Sequence, residues 1–77
     1  MNPKVNEVNA VDDRRLSLLF ANGERRQFDI TPYLQIGVFR QLADPRIFRA
    51  ARAVAGSVEW PGEIDLSYDT LYLESQA

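Results

Sequence analysis

The side chains able to do chemistry in this 77-residue chain are defined first by what is missing, for there is no His and no Cys. Without imidazole or thiol there is no Ser–His or Cys–His nucleophile pair, no His- or Cys-based zinc site and no ordinary neutral-pH general base. Carboxylates are the remaining acid–base option, and Glu63, Asp65 and Asp69 are the closest set. On one helix, Asp65 and Asp69 would share a face and could hold a hard cation. Ser67 stands between them as a helix cap, however. This puts Asp65 at a strand end and Asp69 in a first helical turn, where the helix dipole favours an acid. Ser17, Ser57 and Ser67 read as strand, turn and cap residues, and Lys4, the one lysine, lies near the N-terminal end, far from a Ser–Lys pairing. Gly23, Gly37, Gly56 and Gly62 are scattered and form no phosphate-cradling loop. The chain is therefore read as a non-enzyme, with no catalytic, cofactor-binding or metal-ligating residue assigned. A carboxylate- or metal-dependent hydrolase is the remote alternative, and it requires Glu63, Asp65 and Asp69 to converge.

Binding chemistry is better represented. Arg40, Arg46, Arg49 and Arg52 face only Asp44 within their stretch, whereas Glu59 to Ala77 holds five acids and no base. The bland reading is internal complementarity and solvated faces; the sharper one is two patches for partners of opposite sign. If helical, Arg46, Arg49 and Arg52 would form a stripe. The net charge is −2, and a dedicated nucleic-acid binder is usually basic, so direct nucleic-acid binding is not expected. Trp60, leaving a strand before Pro61-Gly62, reads either as a core residue or as an anchor at a protein interface, where Trp is enriched. Tyr68 and Tyr72, four apart, could join it in one aromatic patch. Arg46, Arg49, Arg52, Trp60, Tyr68 and Tyr72 are thus the candidate interaction residues.

The elements that must position these groups begin with a hairpin. Leu16, Leu18 and Phe20 alternate along one strand and Phe28 follows on the next, across Ala21-Asn22-Gly23. A two-residue Asn22-Gly23 loop would place Phe28 opposite Ser17, away from the leucines. A three-residue loop pairs Leu16 with Phe28, Leu18 with Arg26 and Phe20 with Glu24, so one face collects the large apolar groups. Gly23 then takes the left-handed conformation. Val5 to Asp12 reads as an irregular first strand. Pro32 takes the chain out of the sheet, and Val38, Phe39 and Leu42 sit at helical spacing before an Asp44-Pro45 cap. Ala50 to Ala55 is read as a strand returning through Gly56 into Ser57–Trp60, with a helix continuing from Pro45 as the alternative. Ser67 caps a last helix from Tyr68 to Leu73. The fold class is α+β: a small, mostly antiparallel sheet opened by a three-stranded meander, with one or two short helices on one face.

One domain, with its core between about residues 5 and 73, is the sensible count for this length. The absence of Cys and of any N-terminal apolar run points to the cytoplasm, and no segment is long enough to span a membrane. A domain this small gains from association, and an unpaired first strand or Val58–Trp60 strand would invite it. Homo-oligomerisation is an expectation of the sequence.

Several of these segments, taken together, carry a resemblance. Phe20-Ala21-Asn22-Gly23-Glu24 with Phe28-Asp29, then Gly37-Val38-Phe39 with Leu42 and Asp44-Pro45, Phe48, Val58-Glu59-Trp60-Pro61-Gly62, Asp65-Leu66 and Leu71-Tyr72 resemble the bacterial domain of unknown function 2442 family from about Val8 to Tyr72. The resemblance implies a small α+β protein with no established activity or cofactor, and a strand at Ala50 to Ala55. Some such relatives carry a helix-turn-helix domain behind the shared module; this sequence stops at Ala77, so their DNA-binding role is not expected here. Many are encoded beside another small protein, which implies a protein partner, the adjacent gene product, in a toxin–antitoxin-like pair. A non-enzymatic protein-interaction module is the leading expectation, and a regulatory module holding a small ligand between sheet and helices is the alternative.

Overall fold

The computed structural model describes residues 2–77. Strands β1 (Val5–Ala10), β2 (Arg15–Phe20) and β3 (Arg25–Asp29) form an antiparallel meander. The hairpin takes the register with the three-residue loop: Leu16 opposes Phe28, Leu18 opposes Arg26, and the Phe20 N–H donates to the Glu24 carbonyl at 2.8 Å. Gly23 has φ +89. The reason is burial, since Leu16, Leu18, Phe20 and Phe28 are all at most 1 % exposed. A one-residue slip would turn them to solvent.

The chain folds into two sheets rather than the one expected. Strands β4 (Arg52–Val54), β5 (Ser57–Trp60) and β6 (Ile64–Leu66) form a second antiparallel meander. Ala50 to Ala55 is therefore not helical. Among the described residues, one backbone bond joins the sheets, from the Val5 N–H to the Gly56 carbonyl at 2.8 Å. The register of β1 against β2 shifts between Val5 and Glu7. Such a bulge bends and twists its strand, and β1 lies beside β4 without joining it in a ladder. The free edges differ from expectation in one respect. β5 is the central strand of its sheet, whereas β1 is an edge strand as expected, and β3, β4 and β6 are the others.

Between the sheets runs a connector of short turns. Thr31–Tyr33 and Gly37–Ala43 are 3-10 segments, and helix α1 (Pro45–Phe48) starts at Asp44, whose side chain accepts from the Arg46 N–H at 2.9 Å. Helix α2 (Tyr68–Glu74) is capped by Ser67. The expected helix at Val38–Ala43 is a 3-10 segment, and this changes what faces inward. At three residues per turn Phe39 and Leu42 share a face; Leu42 is fully buried, whereas Val38 is 53 % exposed. One core unites everything: Val5, Leu16, Leu18, Phe20, Phe28 and Ile30 from the first half meet Phe48, Val58, Trp60, Ile64 and Leu71 from the second.

The β4–β5 turn has two residues, Ala55 and Gly56, with φ of +51 and +89. A turn needing positive φ twice accommodates Gly or Asn but strains Ala. Gly56 is also overlain by Lys4, whose methylenes would lie 2.7–2.8 Å from an added Cβ. We expect Ala55→Asn to stabilise the protein by about 0.5–1 kcal/mol and Gly56→Ala to destabilise it by at least about 1 kcal/mol. Urea unfolding of the two variants measures both, and a destabilising Ala55→Asn would contradict this account of the turn.

Candidate interaction surface

The run of arginines does not become a basic stripe, because α1 ends at Phe48 and Arg52 belongs to β4. Each of the three is separately placed. Arg46 grips Asp44 through Nη2 at 3.0 Å, Arg49 Nε donates to Asp13 at 3.0 Å, and Arg52 lies opposite Glu59 in the β4–β5 ladder. These exposed pairs contribute little stability, but they cancel positive charge locally. Arg46 holds the Asp44 carboxyl below its ordinary range, through its side chain first and its backbone N–H second.

Trp60 is 3 % exposed. Its ring stacks on Phe48 at 6.3 Å and its Nε1–H donates to the Phe48 carbonyl at 3.0 Å, at the end of α1. It is thus a core residue and presents no ring to a partner. The three candidate aromatics do not gather into one patch: Trp60 pairs with Phe48, Tyr72 packs edge-on against Phe20 at 5.1 Å, and Tyr68 has the Lys4 ammonium 5.9 Å from its ring centre.

The acids are likewise dispersed. Asp65 sits opposite Glu59 on β6, Asp69 accepts from the Asn2 side chain at 3.1 Å, and Glu63 lies in the β5–β6 turn. Among the described residues no three His, Cys, Asp or Glu side chains gather as a metal site would require. The convergence needed for a carboxylate hydrolase is not met. The ligand-sensing alternative needed an enclosed cavity between sheet and helices. What the surface offers is an open cleft of about 310 Å³ beside β3, lined by Arg15, Gln27, Asp29, Glu74, Gln76 and Ala77.

One polar cluster escaped the sequence. Arg26, opposite Leu18, lies on the core face of β3, with its side chain 21 % exposed. Its Nε and Nη2 donate to Glu24 Oε2 at 3.0 and 2.8 Å, and its guanidinium lies 4.1 Å from the Tyr72 ring centre. Glu24 Oε1 accepts from the Tyr72 hydroxyl and the Asn22 amide, each at 2.7 Å. The Tyr72 hydroxyl first, then Arg26 and Asn22, hold the Glu24 carboxyl below its ordinary range, and Glu24 raises Arg26 in turn. Both Glu24 oxygens are occupied, so the cluster is a clamp joining α2 to the hairpin.

The residues left unsatisfied are apolar. Ile36 and Val38, 55 % and 53 % exposed, flank Gly37 on the connector. Beneath them Phe28, Tyr33 and Phe39 form a chain of ring contacts at 5.5 and 5.6 Å. Burial pushes the Tyr33 phenol up, with a smaller contribution from Glu74. Ile36 is followed by no periodic signal that would mark it as a surface residue, and Val38 is hidden by its α-like spacing from Leu42.

Comparison with known proteins defines the family. The model described as "Protein of unknown function (DUF2442)" matches residues 5–77, and the chain belongs to that family. No curated protein matches the sequence. Among solved structures, the chain is similar to a "putative DNA binding protein" of Nitrosomonas europaea ATCC 19718, with 29% identity and a TM-score of 0.82. The match covers 95% of this chain and 48% of that one, so the chain spans about half the length of this relative. Among the described residues no helix is long and apolar enough to cross a membrane.

The carboxylates give a pH prediction. Glu24 lies below its ordinary 4.5, and Asp12, Asp29 and Asp44 lie below their ordinary 3.8. Groups depressed on folding contribute stability that is complete above the unfolded value and is lost as pH falls through the folded one. The melting temperature is therefore expected to stay flat from neutral pH to about 5 and to fall below about 4.5. Glu24→Gln should lower it at pH 7 and flatten the acid limb. An unchanged acid limb would show that the clamp carries none of the pH dependence.

Proposed function

We propose that this member of the DUF2442 family is a non-enzymatic protein-interaction module, one component of a two-gene, toxin–antitoxin-like system whose other component is the adjacent gene product. The observation that carries the reading is the exposed pair Ile36–Val38, set on a connector that ring packing holds in shape. Scattered single apolar side chains need no explanation. Two large ones on either side of a glycine, beside the exposed Arg40, suit a partner with an apolar groove and an acidic rim.

A second reading, direct DNA contact, draws on the description of the Nitrosomonas relative. That chain is about twice as long as the part matched here. DNA affinity rests on uncompensated cations, while here Arg46, Arg49 and Arg15 each pair with an aspartate and the net charge is −2. We expect no mobility shift of duplex DNA at physiological salt; a retarded band that fades steeply with added salt would favour this reading instead.

Co-expression with the adjacent gene product is expected to yield a complex that persists at micromolar concentration. The Ile36→Asp/Val38→Asp double variant should lose it while keeping its melting temperature within a few degrees, since both side chains already face water. No complex with the unaltered chain, or a complex indifferent to the double variant, would overturn the proposal.

A further inference from the structure

The alternation of hydrogen bonds in the hairpin decides which side of β3 is open. Glu24 and Ile30 bond back towards β2, through Phe20 and Arg14. By the antiparallel alternation Arg26 and Phe28 do the same, leaving the backbone groups of Arg25, Gln27 and Asp29 on the free edge. Gln27 alone is used there: its N–H donates to the Gln76 carbonyl at 2.8 Å and its carbonyl accepts from the Gln76 N–H at 2.9 Å. The tail covers one residue of the edge and leaves the residues on either side open.

Those flanking residues are opposite in charge and equidistant from Gln27. Among the described residues neither Arg25 nor Asp29 forms an ion pair; Arg25 leans on Ser17 Oγ at 3.1 Å and Asp29 accepts from the Thr31 N–H at 2.8 Å. We propose that the β3 edge is a self-association site that takes a second copy of this chain, antiparallel and centred on Gln27. A two-fold axis there sets Arg25 opposite the partner's Asp29 and Asp29 opposite the partner's Arg25, and Gln27 exchanges both backbone bonds with the partner's Gln27. Opposite charges directly across strands stabilise a ladder, and an isologous contact demands this self-complementarity. Arg25 and Asp29 gain backbone bonds they lack, while the tail gives up only its pairing at Gln27. Ser75, buried, and Gln76 hold the end of α2 beside this edge. A contact of one short strand is smaller than a standard stable interface, so dissociation is expected on the order of 100 μM to 1 mM. The tail acts as a competitor that sets this threshold.

The surface is separate from Ile36–Val38, so this proposal and the partner reading fail independently. Sedimentation velocity from about 10 μM to 1 mM tests it on the full chain. The unaltered protein should show a monomer–dimer equilibrium. Gln76→Pro removes the tail N–H and should tighten association roughly tenfold. Gln27→Pro deletes a donor that β2 does not use and should leave a monomer. Arg25→Glu should weaken the dimer and the added Asp29→Lys should restore it; this pair decides the matter even where Gln27→Pro fails to fold. Strict monomers for both the unaltered chain and Gln76→Pro up to 1 mM, or a dimer indifferent to Arg25→Glu, would overturn the proposal.

Discussion

The register that collects Leu16, Leu18 and Phe28 on one face also sets a guanidinium there, because Arg26 falls opposite Leu18. A cation on the core side of a sheet is costly unless paired and hydrogen-bonded. Much of the molecule follows from that constraint. Glu24, two residues back on the same face, supplies the counter-charge; Tyr72 supplies a ring for the guanidinium and a hydroxyl for the carboxylate. Tyr72 belongs to α2, so solving the electrostatic problem of one hairpin also docks the C-terminal helix. The docked helix delivers Ser75 and Gln76 to the edge of β3. A single inward arginine thus links turn chemistry near residue 23 to edge protection by residue 76.

The second constraint is the division into two sheets. β1 is engaged on one side by β2 and lies beside the second sheet on the other, where Val5 bonds to Gly56 and Lys4 lies across the same glycine. That contact tolerates no side chain at residue 56, and the neighbouring Ala55 accepts a positive φ as the cost of the tight return. Each sheet alone would be a marginal three-stranded object. They stabilise each other through the shared core, where Phe48 and Trp60 fill the space beneath the connector and the indole satisfies a carbonyl at the end of α1.

Local rules were legible in the sequence wherever a short-range pattern had one physical solution. Period-two burial with a glycine at the turn determined the hairpin register. Asp44 before Pro45 and Ser67 before Tyr68 marked their helix starts, and Gly56 separated strand from helix over residues 52–54. What stayed hidden depended on partners far along the chain or on small differences of period. The Glu24–Tyr72 bond spans 48 residues; the hairpin register sets Arg26 opposite Leu18, but nothing nearby identifies the ring that meets its charge. The count of sheets depends on whether β1 and β4, which lie side by side, form a ladder, and no local pattern records that they do not. Over seven residues, a period of 3.0 and one of 3.6 place Phe39 and Leu42 alike and differ at Val38, so the exposed apolar pair on the connector escaped notice. The candidate residues chosen by type fared according to burial: Trp60 lies in the core and Tyr72 in the clamp, while the arginines lie on the surface, two of them paired.

The polar groups of this protein are spent on holding it together. Glu24, Arg26, Asp44 and the indole of Trp60 each have their bonds made within the chain, which removes them from chemistry and fixes the positions of what is left. Two features among what is left matter here: the exposed apolar side chains of Ile36 and Val38 on the connector, and the backbone groups of Arg25 and Asp29 on the β3 edge, which no strand of this chain pairs. On the two proposals above both are incomplete in the same sense, since the missing half of each contact is a surface of protein.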